Sequence, residues 1–401
     1  MSKSQILIIG GGLAGLALGQ SLLTQHIPFH IYERDTSSSF RSQGYRIRIS
    51  EDGASALKSL LPAQLYEQFD RTSAPVIKNG CQIDASTAES SPGSMPAQPG
   101  QAWNVDRATI RNVLLQGLDE HMTFGKHFSH YTLRDDDVTA HFGDGTDATG
   151  TLLVAADGVR SPVRRQFLPN YTVLDTTGRA IFGKTLLASL PTSVPQQVLN
   201  HGISVISDPA QPEVKLFCDT MRFNHSLLST STAPPPVSLP DDYLYWVLLL
   251  QTTSTTMPDP EFLSLKSAGA AALATKLTTN WHPTIRAITE HQLADAAAPL
   301  SFLMARPPIA AWDTNARVTL VGDAAHPMPP VGGVGANAAW QDAAELATLI
   351  REGGGEVTVE ALATFEDGAR SRSNAWAERA RGGMAKLLGV VPVEEMREVE
   401  C

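Results

Sequence analysis

The sequence predicts an α/β fold in which a mostly antiparallel sheet is inserted into a parallel sheet, with a helix near the end of the chain. An apolar run at residues 6–9 is followed by three glycines and a helical pattern, as at the start of a parallel sheet. A second apolar strand, at 318–321, leads through another glycine-rich turn into a second helical pattern. Between these halves, short apolar strands from about Thr172 are separated by proline-rich breaks, which favours antiparallel pairing.

The first glycine-rich turn matches the pattern G-x-G-x-x-G and opens a helix. Glycines at these places allow a tight turn and close approach of the backbone to a pyrophosphate at the helix start. A second strand at 29–32 ends at Glu33, where a carboxylate accepts hydrogen bonds from ribose hydroxyls. This context predicts a Rossmann-like dinucleotide-binding domain, and the motif alone fits both NAD and FAD. The residues expected to contact the dinucleotide here are Gly10, Gly12, Leu13, Ala14, Gly15, Glu33 and Arg34.

The second turn begins at Gly322-Asp323 and runs through Pro329 and Pro330 to glycines just before a helical pattern. The glycines remove side chains where a helix start offers unpaired backbone N–H groups and a positive dipole end. Such a bare helix start is a binding surface for a flat, electron-rich group. The residues expected to contact it are Gly322, Asp323, Gly333, Val334, Gly335, Ala336 and Asn337.

A third motif, Ala-Ala-Asp-Gly-Val-Arg-Ser at 155–161, follows the apolar strand 152–154. The three motifs, in this order, resemble those of the FAD-dependent aromatic hydroxylases, the group A flavoprotein monooxygenases of the para-hydroxybenzoate hydroxylase type. The resemblance covers the cofactor-binding part of the chain well and the remainder poorly. It implies that FAD is bound and that NAD(P)H visits as a transient co-substrate. It further implies O₂-dependent hydroxylation or epoxidation of a small molecule, such as a secondary metabolite, through a C4a-hydroperoxyflavin.

The same resemblance assigns roles to single residues. It places Asp323 on the ribityl chain of FAD, and Asp157 at both FAD and the nicotinamide cofactor. It also places an arginine at Arg107 that reaches FAD, for which a surface salt bridge is the alternative. Arg48 lies on a strand expected to pass beside the flavin, and the alternative there is a solvated charge. Arg160, Arg164 and Arg165 form a basic cluster that suits phosphates or, alternatively, a solvated helix face.

Two residues are candidates for the chemistry itself. Pro330 is expected to form a rigid wall beside the reactive flavin carbon. Arg179 begins a strand expected to cross the flavin, where a guanidinium would hold a phenolate; the alternative is a salt bridge at the strand end. His326 is interpreted as a structural part of its turn rather than as a base.

Composition excludes several classes of protein. Lys and Arg number 31 against 41 Asp and Glu, a net charge of −10, which disfavours nucleic-acid binding. Three scattered cysteines predict neither a disulfide framework nor a metal site and suit a reducing, cytoplasmic location. No signal peptide is visible, and no apolar run reaches the roughly 20 residues of a transmembrane helix. The chain is expected to act as a monomer or homodimer.

The length of 401 residues predicts more than one domain. The FAD-binding domain is predicted at 1–75, 103–171 and 306–370, and the substrate domain at 76–102 and 172–305. The segment 371–401 is predicted to be a C-terminal helix and tail. The stretch 87–100, rich in proline, serine and glycine, is predicted to be a surface loop. Apolar strand faces in the second domain imply an apolar or aromatic substrate.

Two other classes of function stay open. One is an FAD-dependent reductase or dehydrogenase that does not insert oxygen. The other is a non-catalytic module that keeps the dinucleotide fold for protein binding. The intact glycines, Glu33 and Asp323 disfavour the second alternative.

Overall fold

The structure is a computed structural model of the chain, and it describes residues 5–38, 46–93, 100–227, 237–389 and 391–399. The strands are β1 Ile6–Ile9, β2 Phe29–Tyr32, β3 Arg46–Ser50, β4 Cys81–Asp84, β5 Ser90–Pro92, β6 Ala102–Asp106, β7 Met122–Thr123, β8 Phe128–Leu133, β9 Val138–Phe142, β10 Asp147–Gly150, β11 Leu152–Ala155, β12 Val173–Leu186, β13 Ser204–Asp208, β14 Gln211–Met221, β15 Tyr243–Gln251, β16 Ala298–Ala305, β17 Val318–Leu320 and β18 Arg397–Val399. The α-helices are α1 Leu13–Thr24, α2 Glu51–Leu60, α3 Ala63–Arg71, α4 Arg107–Leu115, α5 Pro162–Phe167, α6 Gln196–Asn200, α7 Asp259–Ser264, α8 Ser267–Leu277, α9 Pro283–Glu290, α10 Gly335–Glu352 and α11 Val359–Leu388.

The predicted parallel sheet is present, with strand order β17-β11-β1-β2-β7 and every neighbouring pair parallel. Its central strands are apolar and fully buried, as expected for a sheet covered on both faces. Helices α1 and α10 pack together on one face, with Trp340 of α10 completely buried. Since strands β1, β11 and β17 run in the same direction, the three sequence motifs that follow them meet at one edge of the sheet.

The second sheet has the order β16-β12-β15-β14-β13-β4-β5, with β18 paired to β12. All its pairs are antiparallel except β13–β4, so the α/β class with a mostly antiparallel second sheet is confirmed. The stretch 87–100 is not loop throughout: residues 90–92 form β5 against β4, and residues 94–99 lie outside the described residues.

A two-stranded ribbon, β3 with β6, lies between the two sheets and is ion-paired to the larger one. Arg46 of β3 pairs with Asp219 of β14. The carboxylate of Asp106, at the end of β6, lies 2.5 Å from the Lys184 amine and accepts a hydrogen bond from the Tyr243 hydroxyl at 2.9 Å. These buried contacts fix the strand that carries Arg48 against the larger sheet.

Helix α11 corrects one predicted boundary. It is a single helix of 30 residues, capped at its start by the Thr358 side chain and at its end by Gly389 at φ +61°. A domain boundary between residues 370 and 371 would therefore cut a continuous helix. Each helix in the described residues is too short or too polar to cross a lipid bilayer.

Candidate active site

A cavity of about 1470 Å³ lies where the three motifs meet the face of the larger sheet. It exceeds the roughly 300–1,000 Å³ of ordinary ligand pockets, which suits an extended cofactor together with a second molecule. Of the predicted cofactor contacts, this cavity is lined by Gly12, Leu13, Ala14, Arg34, Arg48, Arg107, Asp157, Asp323, Gly333, Val334, Gly335 and Ala336. Gly10 and Glu33 line a smaller adjoining cavity of about 260 Å³. Gly15, Gly322 and Asn337 lie behind the walls.

The first turn needs glycine for steric reasons. Gly10 has φ +110°, and a Cβ atom there would overlap the backbone carbonyl of Ala156. A Cβ atom on Gly15 would overlap the carbonyl oxygen of Gly10, so helix α1 could not pack so closely under the turn. Removal of these side chains leaves backbone N–H groups open to a ligand at the start of α1.

Glu33 holds this turn in place, a role that sequence reasoning missed. Its carboxylate oxygens accept hydrogen bonds from the Gly11 N–H at 2.7 Å and the Asp35 N–H at 2.9 Å. The side chain is buried. Glu33 lies 22 positions after Gly11, so no pattern of neighbouring residues in the sequence indicates this contact. Its predicted contact with a ribose stays a prediction.

In the middle motif, burial raises the pKa of Asp157 to about 6, although the Ser161 hydroxyl and the Val163 N–H lower it. The Oδ1 atom of Asp157 is buried and has no hydrogen-bond partner among the residues described. A buried acceptor of this kind is costly unless a ligand supplies a donor. The predicted helix cap is present, with the Ser161 hydroxyl accepting from the Arg164 N–H at 2.9 Å.

In the basic cluster after this motif, Arg164 and Arg160 have different surroundings. The Arg164 guanidinium is buried and donates to the backbone carbonyls of Val159, Asp323 and Ala324 at 2.6, 3.2 and 2.9 Å. It therefore ties the middle motif to the late one instead of facing a phosphate. Arg160 lines the cavity.

In the late motif, Gly322 has φ +59°, and a Cβ atom there would lie 2.9 Å from the Ala339 Cβ atom. The next residue, Asp323, lies on the cavity wall, and its side chain is exposed there. Burial raises the pKa of its carboxyl group, against the lowering effect of His326, Arg107 and Arg164. His326, Arg107 and Arg164 thus favour the ionised form of this carboxylate.

The start of helix α10 is held by Asn337. Its Nδ2 atom donates to the carbonyls of Arg48 at 3.0 Å and Gly333 at 2.6 Å, and its Oδ1 atom accepts from the Ser50 N–H at 2.9 Å. Gly333 has φ +67°, and a Cβ atom there would lie 3.2 Å from the Arg48 Cβ atom. Asn337 thus fixes the strand β3 against the bare helix start, and it acts on the cavity through other residues.

The structure corrects the prediction for Arg179. The guanidinium is buried, donates to both carboxylate oxygens of Asp175 at 2.8 and 2.7 Å, and donates to both of Asp259 at 2.6 and 2.8 Å. It is absent from the cavity wall. Since its donors are already used by two carboxylates, the salt-bridge alternative holds and the catalytic assignment is wrong.

The cavity wall formed by the larger sheet consists mainly of apolar and aromatic side chains from separate strands. Sequence analysis did not single them out, because each shows only the alternation of an ordinary buried strand. They include Phe182, Val205, Phe217, Tyr245, Val247, Leu249, Leu300 and Phe302. Pro329 and Pro330 lie on the wall of the same cavity, as does Met328.

The cavity differs in charge from the rest of the chain. Its basic lining residues are Arg34, Arg46, Arg48, Lys78, Arg107, Arg160, Lys215, Arg379 and Lys386. Its acidic lining residues are Asp157, Asp323 and Glu378. Among the described lining residues there are nine cations against three carboxylates, in a chain of net charge −10, which favours an anionic ligand. Among the described residues, His, Cys, Asp and Glu side chains form no group of three that would hold a metal ion.

Comparison with known sequences also indicates an FAD-binding protein. The family described as FAD binding domain matches residues 3–380. The chain is 32% identical to the dual O-methyltransferase/FAD-dependent monooxygenase elcB of Phaeosphaeria nodorum, over 98% of this chain and 47% of that protein. It is 34% identical to the similarly named CTB3 of Cercospora beticola, over 96% and 46%. The chain thus spans about half the length of these relatives. It is 27% identical to the FAD-dependent monooxygenase dbaB of Emericella nidulans, over 86% of each.

Solved structures share the fold. A protein described as an FAD-containing monooxygenase from Photorhabdus luminescens superposes with a TM-score of 0.79 at 25% identity, over 96% of this chain and 99% of that one. Klebsiella pneumoniae HpxO, solved with FAD and uric acid, has a TM-score of 0.74 at 19% identity, over 97% and 90%. The second likeness shows the fold alone.

Proposed function

Because the chain belongs to the FAD binding domain family, we propose that it is an FAD-dependent monooxygenase that uses NAD(P)H and O₂ to oxygenate an apolar or aromatic molecule. The main support for this function is that helices α1 and α10 both begin at the same cavity. At each start, glycines leave the backbone uncovered by side chains. An aromatic wall from the larger sheet closes the same cavity.

The residues present fit FAD. A Cβ atom at Gly10 would fill the first turn, the Asp157 Oδ1 atom lacks a donor, and basic side chains dominate the lining. We infer that the α1 start and Arg34 hold the pyrophosphate end, and that Asp323 and the α10 start hold the ring end. When bound, FAD supplies the redox chemistry and the activation of O₂.

The chain's own residues then orient and shield the reactants. The N–H groups at the α10 start, near Gly335, are fixed in advance and favour negative charge beside them. Pro329, Pro330 and Met328 present no titratable groups to the cavity, so this wall excludes water without supplying protons. Arg46, Arg48 and Lys215 lie on the substrate side and favour an ionised oxygen on the substrate.

The test is oxygen insertion. Purified protein loaded with FAD is mixed with NADH or NADPH and a panel of phenols, and O₂ uptake, hydrogen peroxide and the mass of the product are measured. We expect at least one phenol to accelerate NAD(P)H oxidation and to gain one oxygen atom from ¹⁸O₂. Oxidation of NAD(P)H in which all the oxygen appears as hydrogen peroxide would favour the reductase alternative. Protein that binds no FAD would contradict both.

A further inference from the structure

Helix α11 carries two adjacent glycines, Gly382 and Gly383, within its last two turns. Glycine destabilises a helix interior because it loses the most backbone freedom on folding. A pair of them in a helix that is otherwise long and continuous needs a physical reason. The two glycines have different surroundings, so they need different reasons.

Gly383 is explained by packing. A Cβ atom there would lie 2.9 Å from the Cγ1 atom of Val331, which is closer than real Cβ contacts permit. Val331 directly follows Pro329 and Pro330 in the loop that leads to helix α10. Only glycine lets helix α11 approach this loop so closely.

Gly382 has no such neighbour. A Cβ atom there would meet no atom of the described residues within 4 Å, and Gly382 is exposed on the cavity wall. Glu378 and Lys386, one helical turn before and after it, line the same cavity. Gly382 therefore makes a notch in the helix wall between two long charged side chains.

The end of helix α11, beyond the notch, is tied to the larger sheet. Lys215 of β14 donates to the Leu387 carbonyl at 2.5 Å, which holds the end of α11 against the sheet. Every second residue of β14 points to the same face, so this face carries Lys215, Phe217 and Asp219. Asp219 pairs with Arg46. Lys215 and Asp219 are four positions apart, so their Cα atoms are about 13 Å apart, and the Phe217 ring lies on the cavity wall between them.

Arg46 supplies the second observation. Its side chain is 8% exposed, lines the cavity and lies over the Phe217 ring at 5.9 Å. One of its terminal nitrogens is used by Asp219, but its Nε atom is buried and has no hydrogen-bond partner in the part of the chain that the structure describes. A buried guanidinium N–H beside an aromatic face fits an ionised oxygen on a flat molecule.

We propose that Gly382 is a specificity-determining residue, whose missing side chain lets a flat, multi-ring aromatic substrate extend past helix α11 while its ionised oxygen binds Arg46. This inference rests on the proposed function, since it names the substrate class for the same cavity. It predicts that bulk at position 382 selectively excludes long substrates.

The test compares binding of phenol, 2-naphthol and 2-hydroxyanthracene to the FAD-loaded protein, followed by the change in flavin absorbance. The variants are Gly382→Leu and the smaller Gly382→Ala. Gly368→Ala is the matched control, because Gly368 lies in the same helix, away from the cavity, with its nearest Cβ contact at 3.5 Å. Tm and FAD content are measured for each variant.

In Gly382→Leu we expect the affinity for 2-hydroxyanthracene to fall about tenfold or more, and that for phenol less than about twofold. Gly382→Ala should show a smaller loss, and Gly368→Ala should match the wild type. Tm should not fall in the Gly382 variants, because each replaces a helix glycine. An unchanged preference between the three phenols in Gly382→Leu would overturn the proposal.

A second comparison tests the Arg46 end. The wild-type protein should prefer 2-naphthol to 2-methoxynaphthalene, and Arg46→Met should lose that preference. Equal binding of the two by the wild type would contradict the inferred ionised oxygen. FAD-loaded protein that bound none of these aromatics would overturn this inference alone, whereas failure to bind FAD would overturn the proposed function.

Discussion

The Nε2 atom of His326 lies 2.5 Å from the Oδ2 atom of Asp342, and both side chains are almost wholly buried. The same carboxylate oxygen accepts the Gly322 N–H at 3.0 Å, and Arg372 lies 3.3 Å from the other oxygen. Asp342 therefore joins the turn after β17 to helix α10, directly behind Asp323. Burial lowers the pKa of His326, but Asp342 outweighs this and raises it above its ordinary 6.5. Burial raises the pKa of Asp342, but His326 outweighs this and lowers it below 3.8.

Asp342→Asn should destabilise the protein by about 3–5 kcal/mol, because it leaves the buried His326 without a charged partner. Because the pKa of His326 is raised, its pairing stabilises the fold fully below pH 6.5. This stabilisation is lost as the pH rises through the folded-state pKa of His326. Because the pKa of Asp342 is lowered, its pairing stabilises the fold above pH 3.8. That stabilisation is lost as the pH falls through the folded-state pKa of Asp342. The difference from wild type in chemical denaturation should thus be largest between about pH 4 and 6.5 and shrink at alkaline pH.

The control is Asp295→Asn, at an exposed turn. This variant should show no difference of that kind. A destabilisation by Asp342→Asn that was constant from pH 5 to 9 would contradict the ion pair, since a neutral hydrogen bond would not titrate there.

Asp323→Ala should weaken FAD binding by roughly 10- to 100-fold, the value of one hydrogen bond to a charged group. The carboxylate faces the cavity in a one-turn 3₁₀ segment, Gly322–Ala324, so its removal leaves the main chain in place. FAD retention after gel filtration and a fluorescence titration measure the effect. Asp313→Ala, in the exposed loop before β17, is the control and should keep its flavin. Full flavin content in Asp323→Ala would count against the site assignment.

Asp157→Asn should stabilise the FAD-free protein at pH 8 more than at pH 5. The folded-state pKa of Asp157 is raised to about 6 by burial, so its ionisation opposes folding as the pH rises from about 4 through 6. An amide does not ionise, and the variant therefore lacks this loss. The thermal midpoints of both proteins at the two pH values check the sign. A gain that was equal at both values would rule out the titration as its cause.

Arg179→Met should lower stability by about 3–5 kcal/mol, because the buried Asp175 would keep only the exposed Arg397, 3.7 Å away, as a cation. The partly exposed Asp259 should contribute less. FAD affinity and the rate of flavin reduction by NAD(P)H should match the wild type, since Arg179 lies away from the cavity. Chemical denaturation and stopped-flow reduction test the two statements separately. Loss of phenol binding by the FAD-loaded variant, without loss of stability, would restore the assignment of Arg179 as the group that holds a phenolate.

The sequence by itself determined the parallel sheet, the helix starts and the places where glycine is required. These features depend on local geometry: a strand, a turn at positive φ such as Gly10 or Gly322, and a helix capped by its own neighbours, as at Ser161. Each of these features depends on a few residues that are close together in the sequence, so it can be predicted without the tertiary structure. For the same reason the three motifs, and hence the family, were recognisable from the sequence.

Only the tertiary structure decided which side chains meet across long separations. Arg179 and Asp259 are 80 residues apart, and their contact removed a guanidinium from the proposed chemistry. Glu33 reached the glycine turn, and the aromatic wall brought together Phe182, Tyr245 and Phe302 from separate strands. Strand neighbours and side-chain directions fix such pairings, and neither property is encoded in the local pattern of residues.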